Sequence, residues 1–199
     1  MSPPSDSARE DLELYRRQEF SDPERADLLA LSHEAILSMV EHREMEACPC
    51  PPHWDQHRGA FTTIYIHGRL RGCVGYPLPL LPLRRTIIET ARGAAFEDRR
   101  FSPVNAEESR QLEVSLSILS ALKSVSFEEV QIGVHGLLIS QAGHRGLLLP
   151  QVPVEHGWDR ITFLEQTCRK AGLPADAWRS GATIETFTAE VFADKDRHS

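Results

Sequence analysis

Phe61-Thr62-Thr63-Ile64-Tyr65-Ile66-His67-Gly68-Arg69-Leu70-Arg71-Gly72-Cys73-Val74-Gly75-Tyr76 spells two strands and the turn that joins them. β-Branched and aromatic residues crowd Phe61–His67, Leu70–Tyr76 resembles it, and such side chains suit a pleated surface. His67-Gly68 suits a tight connection, so the stretch reads as a β-hairpin. Cys73 then lies on the second strand. Gly72 and Gly75 beside it either bulge that strand or let another group come close, which makes both candidate ligand contacts.

Working outward, Ser21 with Glu24 three residues on is a capping box. Leu28, Leu29, Leu31, Ala35, Ile36, Met39 and Val40 then recur at helical spacing, predicting a helix to about His42. Asp11–Phe20 has the makings of a shorter one. Cys48–Pro52, with three prolines in five residues, is a loop. Leu83, Ile87, Ala91, Ala94 and Ala95 give a second amphipathic helix over Leu83–Phe96. Glu97–Pro103 is a charged turn, and Asn105 with Glu108 caps one more helical turn. Leu112–Ile118 alternates cleanly as a half-buried strand. Leu137–Ile139 and Leu147–Leu149 form a second hairpin through Gln141–Gly146. Trp158–Ala171 is a helix stopped by Gly172 and Pro174, with Trp158, Trp178 and Cys168 packed about it. Ile184–Phe192 reads as a last strand. Strands and helices mix without strict βαβ alternation, so the expected class is α+β, a mixed sheet with flanking helices, not a doubly wound sheet.

A chain of 199 residues makes one domain or two closely packed lobes. The expected organisation is a mobile extension over 1–20, a folded body over 21–192 and a tail over 193–199. With 41% hydrophobic and 26% charged residues the composition is that of a soluble globular protein. A net charge of −7 argues against broad nucleic-acid binding, which needs many phosphate contacts. Four cysteines make no disulfide framework and fit a reducing cytoplasm. Met1–Phe20 holds no apolar core of a secretion signal, and no run of about 18 apolar residues suggests a membrane span. Gly-x-Gly-x-x-Gly after a strand, Gly-x-x-x-x-Gly-Lys and Gly-x-Ser-x-Gly are all missing. His33-Glu34 opens like a zincin helix but meets Leu37 where the second histidine belongs. No cofactor is expected.

The chemistry concentrates around Cys73. From Arg58 to Arg100, eight arginines stand against Glu89, Glu97 and Asp98, a charge of +5 that leaves −12 for the rest. A thiol reacts as its thiolate, which a nearby guanidinium such as Arg71 favours. Cys73 is therefore a candidate nucleophile, set against the plainer reading of a small buried core residue. The turn after the second helix places Asp98 and Arg100 where they can reach the Cys73 strand. Arg100 can clamp a carboxylate or phosphate; equally, the two can pair with each other or with backbone to fix the turn. His135 and His67 are candidate bases, each also readable as a solvated turn residue, and His144 is weaker. Cys48, Cys50, His53 and His57 make a weak zinc alternative, because their spacing is unlike Cys-x2-Cys and the prolines restrict it.

Several segments together resemble the AMMECR domain family. They are Arg58-Gly59-Ala60-Phe61-Thr62-Thr63, Leu70-Arg71-Gly72-Cys73-Val74-Gly75 and Asp98-Arg99-Arg100-Phe101-Ser102-Pro103-Val104. Gly133-Val134-His135-Gly136-Leu137, Leu148-Leu149-Pro150-Gln151-Val152 and Lys170-Ala171-Gly172-Leu173-Pro174 follow in order. The resemblance runs from about Ser21 to Phe192, with Val74 where isoleucine is usual, and Cys48–His57 is no part of it. It implies an α+β protein of two lobes, with Leu70–Gly75 near a cleft between them and Gln151 among the ligand-binding candidates. It further implies an association with Memo-like and radical SAM proteins, which bacterial and archaeal relatives are encoded with or fused to. No reaction comes with it. Two functions remain open: an enzyme with Cys73 as nucleophile, assisted by Asp98 or His135, or a binding module in which Arg71 and Arg100 hold a small anion. Nucleic-acid binding is disfavoured, since no stacking series of aromatics is present.

Overall fold

The computed structural model describes residues 19–46 and 51–194, in which the chain divides into two compact units. One unit is Glu19–Leu119 with 190–194, the other Ser120–Ala189. The expected helix over Asp11–Phe20 falls largely outside the described residues.

The first unit opens with α1 (Asp22–Val40). Ser21 caps it as expected, its N–H and Oγ both reaching Glu24 Oε2, at 2.9 and 2.6 Å. Leu28, Leu31, Ala35 and Ile36 are buried, but Met39 is exposed, and Ser32 and Ser38 lie buried instead. Their hydroxyls donate to the Leu28 and Ala35 carbonyls, a satisfied form that costs little to bury. The hairpin is β1 (Ala60–Ile66) and β2 (Arg69–Tyr76). At its turn His67 and Gly68 both adopt left-handed backbone, φ 51° and 72°, the primed geometry that matches strand twist. Then come α2 (Leu83–Phe96), the single turn α3 (Ala106–Ser109) and β3 (Leu112–Leu119).

β1 is central, antiparallel to β2 on one side and β3 on the other, in the order β2-β1-β3 and then β8 (Ala189–Ala193). Thr63 stands opposite Cys73 and Ser115; Ile64 stands opposite Gly72 and Val114. Successive strand residues face opposite ways, so the sheet has two unlike sides. Ala60, Ile64, Val114, Leu116 and Ile118 are fully buried in one cluster with residues of α1 and α2. On the other side Phe61, Thr63, Cys73, Ser115 and Ser117 are half-buried. Between Ile64 and Tyr65 the register slips, so Arg71 faces no partner and forms a bulge.

The second unit holds β4 (Lys123–Ser124), β5 (Gly136–Gln141), β6 (His144–Leu148), α4 (Gln151–Glu155), α5 (Arg160–Lys170) and β7 (Thr183–Phe187). Its antiparallel sheet runs β4-β7-β5-β6. Gln141 pairs with His144, so the β5–β6 turn is tighter than the Gln141–Gly146 connection expected. Asp159 caps α5 by accepting the Thr162 N–H at 2.7 Å. Leu137, Ile139, Phe163, Leu164, Cys168 and Trp178 are buried in one cluster.

The strand expected over Ile184–Phe192 is in fact two. β7 belongs to the second sheet and β8 (Ala189–Ala193) to the first. The break is at Thr188, whose carbonyl accepts the Ser120 N–H at 2.9 Å and whose N–H donates to Ser120 Oγ at 3.0 Å. Among the described residues no helix is long and apolar enough to cross a membrane.

Candidate functional site

β2 is an edge strand, and Cys73 turns its N–H away from β1. The Asp98 carboxylate takes it, Oδ2 to N 2.9 Å, where a further strand would otherwise pair. Thr63, directly across the ladder, donates its hydroxyl to Cys73 Sγ at 3.3 Å. Asp98 arrives there because Gly72 admits the end of α2. A Cβ on Gly72 would stand 2.0 Å from the Ala94 carbonyl oxygen. After Phe96 the chain turns back, the Phe101 N–H bonding the Asp98 carbonyl and the Val104 N–H that of Ala95.

Asp98 also accepts three donors from Arg100: the backbone N–H at 3.1 Å, Nε at 2.9 Å and Nη2 at 2.7 Å. Its side chain is 7% exposed and that of Arg100 58%. The Arg100 fork, and after it the Cys73 N–H, hold the Asp98 carboxyl far below the usual carboxylate range. The guanidinium of Arg100 is pushed up in return, chiefly by its hydrogen bonds to Asp98. A carboxylate so committed has little affinity for a proton. In this geometry the two residues pair with each other and clasp the Cys73 strand.

The bulge at Arg71 sends its side chain elsewhere. Nε and Nη2 grip Glu108 at 2.9 and 3.0 Å, and Nη2 also donates to the Ser102 carbonyl at 2.8 Å. The side chain is 11% exposed, and Nη1 is buried with no hydrogen-bond partner among the described residues. Glu108 is lowered by this fork first. It is also the capping-box residue of α3, where Asn105 Oδ1 accepts the Glu107 and Glu108 N–H groups. The Phe101 ring serves both arginines, with guanidinium carbons 5.8 Å (Arg71) and 5.5 Å (Arg100) from its centroid. Glu108 and Phe101 are the residues that sequence reasoning missed. The Arg71–Glu108 pair spans 37 positions and has no local spacing to reveal it.

Much of the basic island is already engaged by groups of the first unit. Arg58 pairs with Glu19, Arg85 with Glu89 at 3.7 Å, and Arg92 Nε donates to the Ala35 carbonyl at 3.3 Å. Arg69, Arg84 and Arg99 are left exposed. The openings at the glycines are filled too: Phe61 lies over Gly75, where a Cβ would come within 1.9 Å of the ring.

His135 and Gln151 belong to the other unit. His135 is 6% exposed, not solvated, because its Nδ1 accepts the Gln131 N–H at 3.2 Å and closes its own turn. Gln151 opens α4 and is exposed. His67 and His144 are exposed, at the hairpin turn and at the start of β6. Of the zinc alternative, Cys48 and Cys50 lie outside the described residues. His53 Nε2 is 2.8 Å from Glu24 Oε1, and His57 is bridged through its backbone to Pro82. Among the described residues no group of three or more His, Cys, Asp or Glu has the geometry to hold a metal. Cys168 is fully buried, and burial pushes its thiol up.

An α+β chain whose edge strand carries Gly72-Cys73 under an Asp98–Arg100 clasp is the class of protein these observations define. The AMMECR1 family model matches residues 29–192, and the chain belongs to that family. It is similar to a protein of Aquifex aeolicus, 37% identical over 180 residues, 85% of this chain and 92% of the relative. A Methanosarcina acetivorans protein is 42% identical over 152 residues, 73% of this chain and 76% of the relative. The crystal structure of an uncharacterized protein from Pyrococcus horikoshii is similar at a TM-score of 0.64 and 38% identity, covering 83% of this chain and 89% of that one.

Proposed function

We propose that the chain is a binding module whose Cys73 site takes a small anionic ligand without turning it over. The observation that carries this reading is the set of groups around the sulfur. Its hydrogen-bond partner is the Thr63 hydroxyl, while the Asp98 carboxylate alongside is held by two guanidinium donors of Arg100. A cysteine nucleophile needs a base within hydrogen-bond reach, and Asp98 already accepts four donors. Arg100 supplies the attraction for an anion. Asp98 occupies its Nε and Nη2, so the remaining edge of a mostly exposed guanidinium is available to a carboxylate or phosphate oxygen.

Alkylation of Cys73 tests this directly. Anionic iodoacetate should be favoured over neutral iodoacetamide by about tenfold relative to free glutathione, equivalent to about 1.4 kcal/mol of local field. Arg100→Ala should remove that preference. An unchanged ratio in the variant defeats the reading. Steady release of nitrophenol from p-nitrophenyl acetate that disappears in Cys73→Ser would replace it with the catalytic one.

A further inference from the structure

Resting on the anion site proposed above, we infer that Phe101 positions Arg100 for the anion and that Glu108, through Arg71, holds Phe101. Arg100 needs such a hold. Its side chain is mostly exposed, and Asp98 grips only Nε and Nη2. A long exposed side chain gives up rotamer freedom when it closes on a ligand, and whatever fixes it beforehand removes that cost. The Phe101 ring does so from outside the ion pair. The Arg100 guanidinium carbon lies over the ring, 5.5 Å from its centroid, within the range of cation–π attraction. With the Asp98 fork along one edge and the ring at one face, the guanidinium keeps its remaining edge for an oxygen approaching in its plane.

The ring is itself held, by residues far from it in the chain. Its second cation is Arg71, with the guanidinium carbon 5.8 Å from the centroid. Arg71 is nearly buried and forked on Glu108 at 2.9 and 3.0 Å. Its Nη2 also donates to the Ser102 carbonyl at 2.8 Å, and the Phe101 N–H bonds the Asp98 carbonyl at 3.0 Å, so the backbone is pinned on both sides of the ring. Glu108 is fixed in turn, its Oε2 accepting the Asn105 N–H at 3.1 Å. Direct contacts thus run from Glu108 to Arg71, to Phe101, to Arg100. Two cations against one ring repel each other, and Glu108 and Asp98 offset that repulsion with one carboxylate on each.

Field and position give opposite signs for one substitution. Glu108→Gln removes a negative charge, and by field alone the site would then draw anions more strongly. With Glu108 acting as the hold on Arg71 and Phe101, the same change makes the site draw them less.

The test is the ratio of iodoacetate to iodoacetamide modification of Cys73 in the full chain, each rate divided by that of free glutathione. Phe101→Leu should lower the ratio about threefold, the loss expected of one exposed cation–π contact, with the iodoacetamide rate unchanged. Phe101→Tyr, which keeps the ring, should keep the ratio, and Glu108→Gln should lower it about twofold. In nuclear magnetic resonance spectra the Arg100 Nε–H signal, assigned by its loss in Arg100→Ala, should move in both Phe101→Leu and Glu108→Gln. An unmoved signal, a ratio that falls in Arg100→Ala but not in Phe101→Leu, or a ratio that rises or holds in Glu108→Gln would each overturn this inference alone. No preference for iodoacetate in the wild-type chain would overturn the anion site, and the inference with it.

Discussion

Both sheets rest a helix backbone on a glycine of an edge strand, yet the two places treat cysteine oppositely. In the first unit Gly72 of β2 receives the Ala94 carbonyl of α2. In the second, Gly146 of β6 receives the end of α5, where a Cβ would stand 2.3 Å from the Ala171 nitrogen. The cysteine of the second place, Cys168, is on the helix, sealed among Leu137, Phe163 and Leu164. That of the first, Cys73, is on the strand, next to the glycine. Strand residues alternate between faces, so the glycine that lets the helix in obliges its neighbour to face away from it. The position of Cys73 outside the helix-packed core is thus a consequence of the packing of Gly72.

The contrast can be broken most sharply by labelling. Iodoacetamide on native protein should modify Cys73 about three orders of magnitude faster than Cys168, which needs an opening costing several kcal/mol. Comparable rates, followed by mass spectrometry, would erase the difference between the two thiols. Next in size, Gly72→Ala and Gly146→Ala should each lower unfolding free energy by about 2–3 kcal/mol, since the added methyl meets backbone that cannot move aside. Gly72→Ala alone should alter Cys73 labelling. Denaturant unfolding that left either variant at wild-type stability would show that the close approach is not needed.

A smaller effect follows from Asp98 and Glu108, both held low by arginine forks. Their folded values lie below the unfolded ones, so their contribution is complete above the unfolded carboxylate range, at about pH 5 and higher. It is lost as pH falls through the folded values. Asp98→Asn and Glu108→Gln should flatten the acid limb of a melting-temperature profile; an unaltered limb would detach the first unit's ion pairs from its stability. Smallest of all, Thr63→Val should slow Cys73 alkylation a few-fold by removing the hydroxyl that donates to its sulfur and orients it. A faster rate would mean that Thr63 shields the thiol.

How much of this was legible depended on whether the cause was local. The Ser21–Glu24 box, the His67-Gly68 turn and the Leu112–Ile118 alternation act over a few residues and stand in the structure as read. So does the Asn105–Glu108 cap, although nothing near Glu108 announced that it also receives Arg71. The division of Ile184–Phe192 was invisible because no glycine or proline interrupts it, and only the bonds from Ser120 mark Thr188 as the point of departure. Arg71 was expected beside the thiol on chain adjacency. A one-residue bulge, which adjacency cannot reveal, moved its guanidinium to Glu108.

The return of β8 to the first sheet has a consequence for synthesis. Glu190 accepts the N–H groups of Glu19 and Phe20 and pairs with Arg25 at 2.7 Å, and Phe192 joins the same core as α1. The first unit, whose helices and hairpin leave the ribosome before the second unit, therefore cannot close until Ala189–Ala193 has been translated. Its half-built sheet must wait through the making of everything between Ser120 and Ala189, with one edge unsatisfied and open to wrong partners.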